Sequence, residues 1–201
     1  MGLELLIFVA VLSAIGVGAT VGNKLSKPTS HLVARRRLRA GPPELVDGAV
    51  VTLVGTVRAK DLLTAPLSQR PCVVLHVKTF IGPIWFTRFA MTEFVLETEH
   101  GEVIIEHFPN AGLALPVRRI HNPSFERAEH YLVGAGRSAW EVGRAVFDEI
   151  VVEPGMKISV YGVVRVDFAP PSMGVELGFR DTTRVLRLVG STAHPLAIGT
   201  A

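Results

Sequence analysis

Hydrophobic and polar positions divide the chain into two unlike parts. From Leu3 to Gly22 the sequence reads LELLIFVAVLSAIGVGATVG, apolar throughout except for Glu4 at its outer edge. A soluble core helix of that length carries a polar stripe, and none interrupts this run. About 19 apolar residues at 1.5 Å rise cover roughly 28 Å, close to the ~30 Å hydrocarbon thickness of a bilayer. The pattern predicts a membrane-spanning helix over Leu3–Val21, with residues 1–22 as the anchor. A cleaved signal peptide would open on basic residues, and only Glu4 stands before the apolar run.

Beyond Gly41-Pro42-Pro43 the pattern becomes short runs of period two. Ala49 to Arg58 (AVVTLVGTVR) is β-branched, with Gly55 where a bulge or a close approach fits. Pro71 to Phe80 (PCVVLHVKTF) alternates Val74, His76 and Lys78 against Val73, Leu75 and Val77, predicting one wet and one dry face. Phe94–Thr98 and Glu102–Glu106 flank Glu99-His100-Gly101, a hairpin signal with Gly101 available for positive φ. Lys157 to Asp167 predicts a long strand after Pro154-Gly155. Val175–Phe179 and Arg184–Val189 read as a late hairpin around Asp181-Thr182-Thr183. Phe125 to Ile150 is the least β-like stretch, with a short helix predicted over Ala139–Val146. Strands separated by turns, with little helix, predict a mainly β fold: a small barrel or sandwich behind one N-terminal transmembrane helix. The expected organisation is an anchor at 1–22, a juxtamembrane linker at 23–46, a β domain at 47–190 and a tail at 191–201. Residues 114–146 read as an insertion in the domain.

Charge gives the anchor a direction. The 201 residues carry a net charge of only +3, and much of the basic excess is local. Lys24, Lys27, Arg35, Arg36, Arg37 and Arg39 follow the apolar run within the range over which basic residues set topology. The N-terminus is therefore expected outside and the domain in the cytoplasm. Arg35, Arg36, Arg37 and Arg39 are candidate contacts to anionic headgroups, each worth about 1 kcal/mol near the surface. The lipid bilayer is thus the first expected partner. Ala10, Ala14, Gly18 and Gly22 recur every four positions and share one helix face, which makes them a candidate surface for self-association. Basic residues interleaved with aromatics over a folded face are missing, so no nucleic-acid partner is expected.

Cys72 is the sole cysteine. No intrachain disulfide and no cysteine-rich zinc site follow, in keeping with a reducing compartment. His76, His100, His107, His121, His130 and His194 show no HExxH or comparable spacing, and no metal or other cofactor is expected. Ser68 lies in no GxSxG elbow. Gly134-x-Gly136 lacks the other elements of a phosphate loop. No catalytic residue is expected. The candidate interaction residues are aromatic instead, in Ile81–Met91 (IGPIWFTRFAM). Trp85, Phe86 and Phe89 are suited to an interface or to the bilayer boundary, or to completing the core through a long hairpin.

The most distinctive stretch is Thr64–Cys72, TAPLSQRPC. Two prolines stiffen it, presenting Arg70 from a rigid loop while Cys72 enters a strand. Pro66, Leu67, Ser68, Arg70, Pro71 and Cys72 form the candidate binding loop, for which a purely structural role is the competing reading. With Gly55-x-Val57 before it and Trp85 and Phe94-x-Leu96-x5-Gly101-x-Val103-x-Ile105 after it, this block resembles the GIDE domain. Glu149–Gly162 (EIVVEPGMKISVYG) is similar to that family's later strand element. The GIDE domain occurs in MULAN-type membrane-anchored ubiquitin ligases and in many prokaryotic membrane proteins. The resemblance implies a membrane-apposed β-rich module that recruits or senses a protein partner, and, by placing an aromatic at Trp85, implies that this side chain completes the core. Ligase activity in those enzymes belongs to a RING, which needs cysteines this chain does not carry. The expected function is therefore a non-catalytic adaptor. The alternatives are a component acting with a separate catalytic chain, as in a ligase-like or stress-response system, or a metal-dependent hydrolase built on loop histidines.

Overall fold

A computed structural model describes residues 38, 45–109, 111–121, 123–168 and 184–201. The expected anchor, the arginines 35, 36, 37 and 39, and the strand expected over Val175–Phe179 lie outside these residues. Among the described residues no helix is long and apolar enough to cross a membrane.

Among the described residues thirteen strands form. β1 (Val50–Ala59), β6 (Phe94–Thr98), β7 (Gly101–Ile105), β11 (Lys157–Phe168) and β12 (Arg184–Val189) close a five-stranded barrel. β1 lies between β6 and β11, antiparallel to both, with Gly55 opposite Thr98 on one side and Ile158 on the other. Taking the barrel strands in chain order, the fourth returns beside the first, which is the Greek-key order. β12 then fills the gap, antiparallel to β11 and parallel to β7. A five-stranded Greek-key barrel is the architecture of the OB-fold class. Of the two expected forms, barrel or sandwich, the chain takes the barrel.

Local sequence accounts for much of this. Val51, Leu53 and Val57 alternate inward along β1 and meet Phe94, Leu96, Val103, Ile105, Ile158, Val160 and Leu188 in one core. Between β6 and β7 the turn is Glu99-His100, and Gly101 takes φ +101°, a conformation glycine adopts without steric cost. Thr98 Oγ1 accepts from the His100 backbone N–H at 3.1 Å. β11 runs one residue longer than expected. One end of its outer edge, Val163–Phe168, pairs with β12, and the other, Ile158–Tyr161, pairs with β13 (Ala197–Thr200). β13 in turn lies parallel to β8 (Gly112–Ala114). Residues 197–200 are thus sheet where a tail was expected, because the exposed edge of β11 offers backbone partners to even a four-residue apolar run.

The two long excursions from the barrel build a second layer. The connection from β1 to β6 contains the small hairpin β2 (Leu63–Thr64) and β3 (Pro71–Cys72), then β4 (Val74–Ile81) and β5 (Ile84–Met91). The connection from β7 to β11 contains β8, β9 (Arg118–Ile120), a helix α1 (Phe125–Gly134), a 3-10 helix (Ala139–Arg144) and β10 (Ala145–Val152). These two segments meet in a four-stranded sheet ordered β5-β4-β10-β9. Most of the expected insertion is therefore a structural partner of the 74–91 hairpin. Its α-helix lies at Phe125–Gly134, earlier than the helix expected, while 139–144 is a single 3-10 segment. Ser124 Oγ caps α1 by accepting from the Arg127 N–H at 3.3 Å. Ala128, Tyr131 and Leu132 then recur at helical spacing and are fully buried.

Candidate functional site

The distinctive loop comes first. β2 and β3 pair Leu63 with Cys72 and Thr64 with Pro71, so residues 65–70 form a closed turn. Ala65 N donates to Arg70 O at 3.0 Å and Gln69 N to Ala65 O at 2.9 Å, while Gln69 takes φ +58°. Ala65, Leu67 and Cys72 point into a second core with Leu75, Val77, Ala128, Tyr131, Leu132 and Phe147. Arg127 on α1 reaches back to donate to Leu67 O at 3.0 Å. Arg70 is ion-paired with Glu153. Pro66 and Ser68 are half-buried, and only Pro71 of the six candidates is exposed. Leu67 and Cys72, expected in a binding loop, are core residues. The rigidity of APLSQRPC fastens the loop to α1 and to the second sheet.

Because both partners of the Arg70–Glu153 pair are partly exposed, solvent screening limits its worth. A double-mutant cycle on Arg70→Ala and Glu153→Ala is expected to return a coupling below about 1 kcal/mol in urea denaturation.

Cys72 has no exposed surface. Burial pushes its thiol up to about 11, the Glu149 and Glu153 carboxylates add to the rise, and Arg70 opposes it. At pH 7 only about one part in ten thousand is thiolate, the reactive form. Maleimide is expected to leave the folded protein unlabelled over the period in which it labels the urea-unfolded chain completely.

On the α1 side of the sheet, Tyr131 stacks on Phe86 at 6.4 Å between ring centroids and meets Phe147 edge-on at 5.9 Å. Thr79 Oγ1 donates to the Tyr131 hydroxyl at 3.3 Å. Glu149 lies on this face too, almost wholly buried, with Oε1 unpartnered. A cleft of about 140 Å³ opens between Leu63, Thr64, Pro66, Leu75, Arg88 and Ala90. Ligand pockets for drug-sized molecules run to about 300–1,000 Å³. This cleft is too small for one.

On the other side of the sheet the two ends differ. At the near end, Val74, Met91, Ile150 and Val152 pack into the barrel core with Phe89 against them. At the far end the β4–β5 turn, Gly82-Pro83, carries the sheet away from the barrel. Phe80 stands between Trp85 on β5 and Val146 on β10 in a cross-strand row of which Trp85 and Val146 are exposed. Trp85 is 57 % exposed, whereas Ile84, opposite Ile81, stands on the α1 side. The expectation that Trp85 completes the core is overturned. Its position in the alternation puts it on the face away from α1, beyond the reach of the barrel. The 3-10 helix delivers the chain to this same end, because Ala145 pairs with Ile81, and its Trp140 is 69 % exposed. Lys78 Nζ lies 4.8 Å from the Phe80 ring centroid and 5.2 Å from that of Trp85. Arg144 lies 5.6 Å from the Trp140 ring. Sequence reasoning had named Trp85 but missed Trp140, whose signal was a large aromatic among Ser, Ala, Glu and Gly.

The histidines disperse. His194 shares a 3.0 Å hydrogen bond with the Tyr161 hydroxyl, and His100 lies 3.4 Å from Glu99. Among the described residues no three His, Cys, Asp or Glu side chains gather in a geometry that holds a metal. His76 is held below the ordinary imidazole value by burial and by Lys78 on the same strand face. The unfolded chain therefore binds more protons at this site, and stability is lost as pH falls through about 6.5. His76→Gln is expected to remove that component, measured as a smaller shift in the urea midpoint between pH 7 and pH 5.5.

No protein-family model, curated protein or solved structure matches the chain. Its chemistry is to be read from the site.

Proposed function

We propose that the chain is a membrane-tethered, non-catalytic binding module of the GIDE type, anchored by Leu3–Val21 with its β domain on the cytoplasmic side. Its working surface is the far end of the second sheet. One observation carries this reading: exposed Trp85 and Val146 flank Phe80 in a cross-strand row on the face of the second sheet away from α1, with Lys78 against the Phe80 and Trp85 rings. Exposed apolar clusters of this kind mark interaction surfaces. Support for the GIDE type comes from the APLSQRPC block together with its neighbouring glycines and strands. The anchor rests on the length and apolarity of residues 3–21.

A five-stranded Greek-key barrel also invites an oligonucleotide reading. The charges on the barrel wall argue against it. Arg58 pairs with Glu97 and Glu102, Lys60 with Glu93, Arg165 with Glu106 and Asp167, and Arg187 with Glu93, Glu106 and Asp167. Among the described residues such a wall largely neutralises itself, where binding a nucleic-acid strand calls for a net positive groove.

Proximity labelling from the domain in its native membrane tests the proposal. Arg70→Ala is expected to leave the set of labelled neighbours unchanged, whereas Trp85→Ala alters it. Neighbours that change with Arg70→Ala and not with Trp85→Ala would return the function to the loop.

A further inference from the structure

A strand with a neighbour on one side only leaves a row of backbone donors and acceptors open. Proteins blunt such edges by keeping them short, bulged, or interrupted by proline and charge. β5 is not blunted. It runs eight residues in unbroken register with β4, holds no proline, and carries one charge, Arg88. Among the described residues β4 is its sole partner strand. The opposite edge of the sheet, β9, is only three residues long. The turn fixes which groups of β5 are open. Gly82 takes φ +58° at the first position of the two-residue turn Gly82-Pro83, the type II′ arrangement, and Ile81 and Ile84 close the hairpin as a hydrogen-bonded pair. Bonded and non-bonded positions alternate from there. Ile84, Phe86, Arg88 and Ala90 therefore spend their backbone groups on β4. Thr92 continues the series, its N–H donating to Val73 O at 2.9 Å. Trp85, Thr87 and Phe89 turn theirs outward.

The side chains along this edge complement one another about Thr87. Trp85 and Phe86 precede it, and Arg88 and Phe89 follow. An antiparallel copy of β5 centred on Thr87 sets Trp85 opposite Phe89 on the face away from α1, and Phe86 opposite Arg88 on the α1 face, each pair occurring twice. Thr87 meets its own copy on the axis. Aromatic pairs and threonine pairs across strands are stabilising, and a guanidinium against an aromatic ring adds a cation–π attraction. Neighbouring registers lose this match. Centred on Arg88, the strands would set that cation against its own copy, which is destabilising. Centred on Phe86, they would leave Trp85 opposite Thr87. The Thr87 register also employs Ile84, which is 50 % exposed on the α1 side and would stand opposite Ala90 of the second copy. Arg88 and Ala90 border the cleft of about 140 Å³ that Leu63, Thr64 and Pro66 complete. Too small for a drug-sized ligand, it has room for one aliphatic side chain, and the second copy's isoleucine arrives beside it.

We infer that a second copy of the chain pairs antiparallel along β5 with its two-fold axis at Thr87, joining two four-stranded sheets into one of eight strands. This inference deepens the binding-module reading by naming one partner, and rests on it. Met91 packs into the barrel core at the end of each β5, so pairing carries the two barrels to opposite ends of the joined sheet. A single strand pairing buries less than the roughly 1,600 Å² of a standard interface, which makes this a reversible contact.

Cysteine cross-linking of the full chain under a mild thiol oxidant tests the register, because the native Cys72 is buried and stays silent. Opposed residues on the axis lie about 5.5 Å apart between Cα atoms, within the span of a disulfide. Thr87→Cys chains should join about tenfold faster than Val133→Cys chains, whose site on α1 is 55 % exposed. Ile84→Cys chains should cross-link to Ala90→Cys chains in a mixture, and neither kind to itself. Trp85→Ala should slow joining at Thr87→Cys about tenfold, because the two-fold axis removes two aromatic pairs at once. Thr87→Pro takes away an outward N–H that β4 does not use, so the chain should keep its urea midpoint while the mixed 84–90 cross-link disappears. Should the midpoint fall, Thr87→Lys sets like charges on the axis and serves in its place. Equal joining at Thr87→Cys and Val133→Cys, or an 84–90 cross-link that survives in the folded blocking variant, would overturn the pairing. Absent cross-links with labelled neighbours that still change on Trp85→Ala would overturn the pairing and leave the binding module standing. Cross-links in this register, with no neighbour but the chain itself affected by Trp85→Ala, would support the pairing and overturn the wider module.

Discussion

Replacing Gly55 with valine is expected to destabilise the protein by about 3 kcal/mol or more, the upper range for forced overpacking, and to abolish the barrel. A Cβ at this position would stand 2.4 Å from Glu97 O, 2.9 Å from the carbonyl carbon of Glu97 and 2.9 Å from Leu96 Cγ. Two of those three atoms are backbone. They belong to the β1–β6 ladder, and Gly55 is held from the other side by its pairing with Ile158. Neither ladder can give without losing hydrogen bonds. The loss is a large share of the 5–15 kcal/mol that holds a typical domain folded. Alanine at the same site should cost less, about 1–3 kcal/mol. Gly134 provides the control. It ends α1 with nothing within 4 Å of an added Cβ, and Gly134→Ala should leave stability unchanged or raise it by up to about 1 kcal/mol. Urea midpoints of the four proteins settle the order.

Tyr131→Ala is expected to cost about 3–5 kcal/mol, the range for removing a buried aromatic ring. Tyr131 is 1 % exposed and joins α1 to the second sheet through Phe86, Phe147 and Thr79. Without the ring the helix loses its main purchase on the sheet, and the Thr79 hydroxyl, itself buried, loses its partner. Tyr131→Phe keeps the rings in contact and removes only the hydrogen bond, a loss of about 1 kcal/mol. Cys72 shares this core, so its maleimide reactivity reports the same event. The alanine variant should label readily without denaturant, and the phenylalanine variant should remain protected. Protection in both would show that the helix is held elsewhere.

What could be read from the residues alone follows the range of the forces involved. β1, the turn at Glu99-His100-Gly101 and β11 are set by alternation and by local turn chemistry, and each appears within a residue or two of its expected place. Helix α1 also carried local signals, a Ser124 cap and the 128–131–132 spacing, which the β-rich surroundings and Pro123 obscured. Other features are decided by pieces far away. Val77 meets Glu149 and Leu75 meets Val151 across more than seventy positions, and no local pattern announces that pairing. Alternation in β4 predicts a wet face at Val74, His76 and Lys78, yet Val74 is buried in the barrel core, because which face is covered depends on where the barrel ends. The core position expected for Trp85 came from the family resemblance, and the same limit of the barrel leaves it exposed. Arg70 looked available in the sequence because Glu153 lies beyond the second sheet in chain order. Trp140 stands in a stretch of no evident periodicity, on the 3-10 helix whose Val142 packs against the second core.

The closure of the barrel has a bearing on how the protein is made. β1 is the first barrel strand to leave the ribosome, yet Val50 finds its partner at Val163, more than a hundred positions later. Loop-closure entropy makes pairings of this span slow, in the millisecond-to-second range typical of barrels rather than the microseconds of helical bundles. In the interval β1 is an apolar, β-branched strand with an open edge, the form in which nascent chains most readily pair with the wrong neighbour. A tether of the kind proposed would hold such a strand apart from other nascent domains and shorten the list of wrong neighbours while the far half of the barrel is still being synthesised.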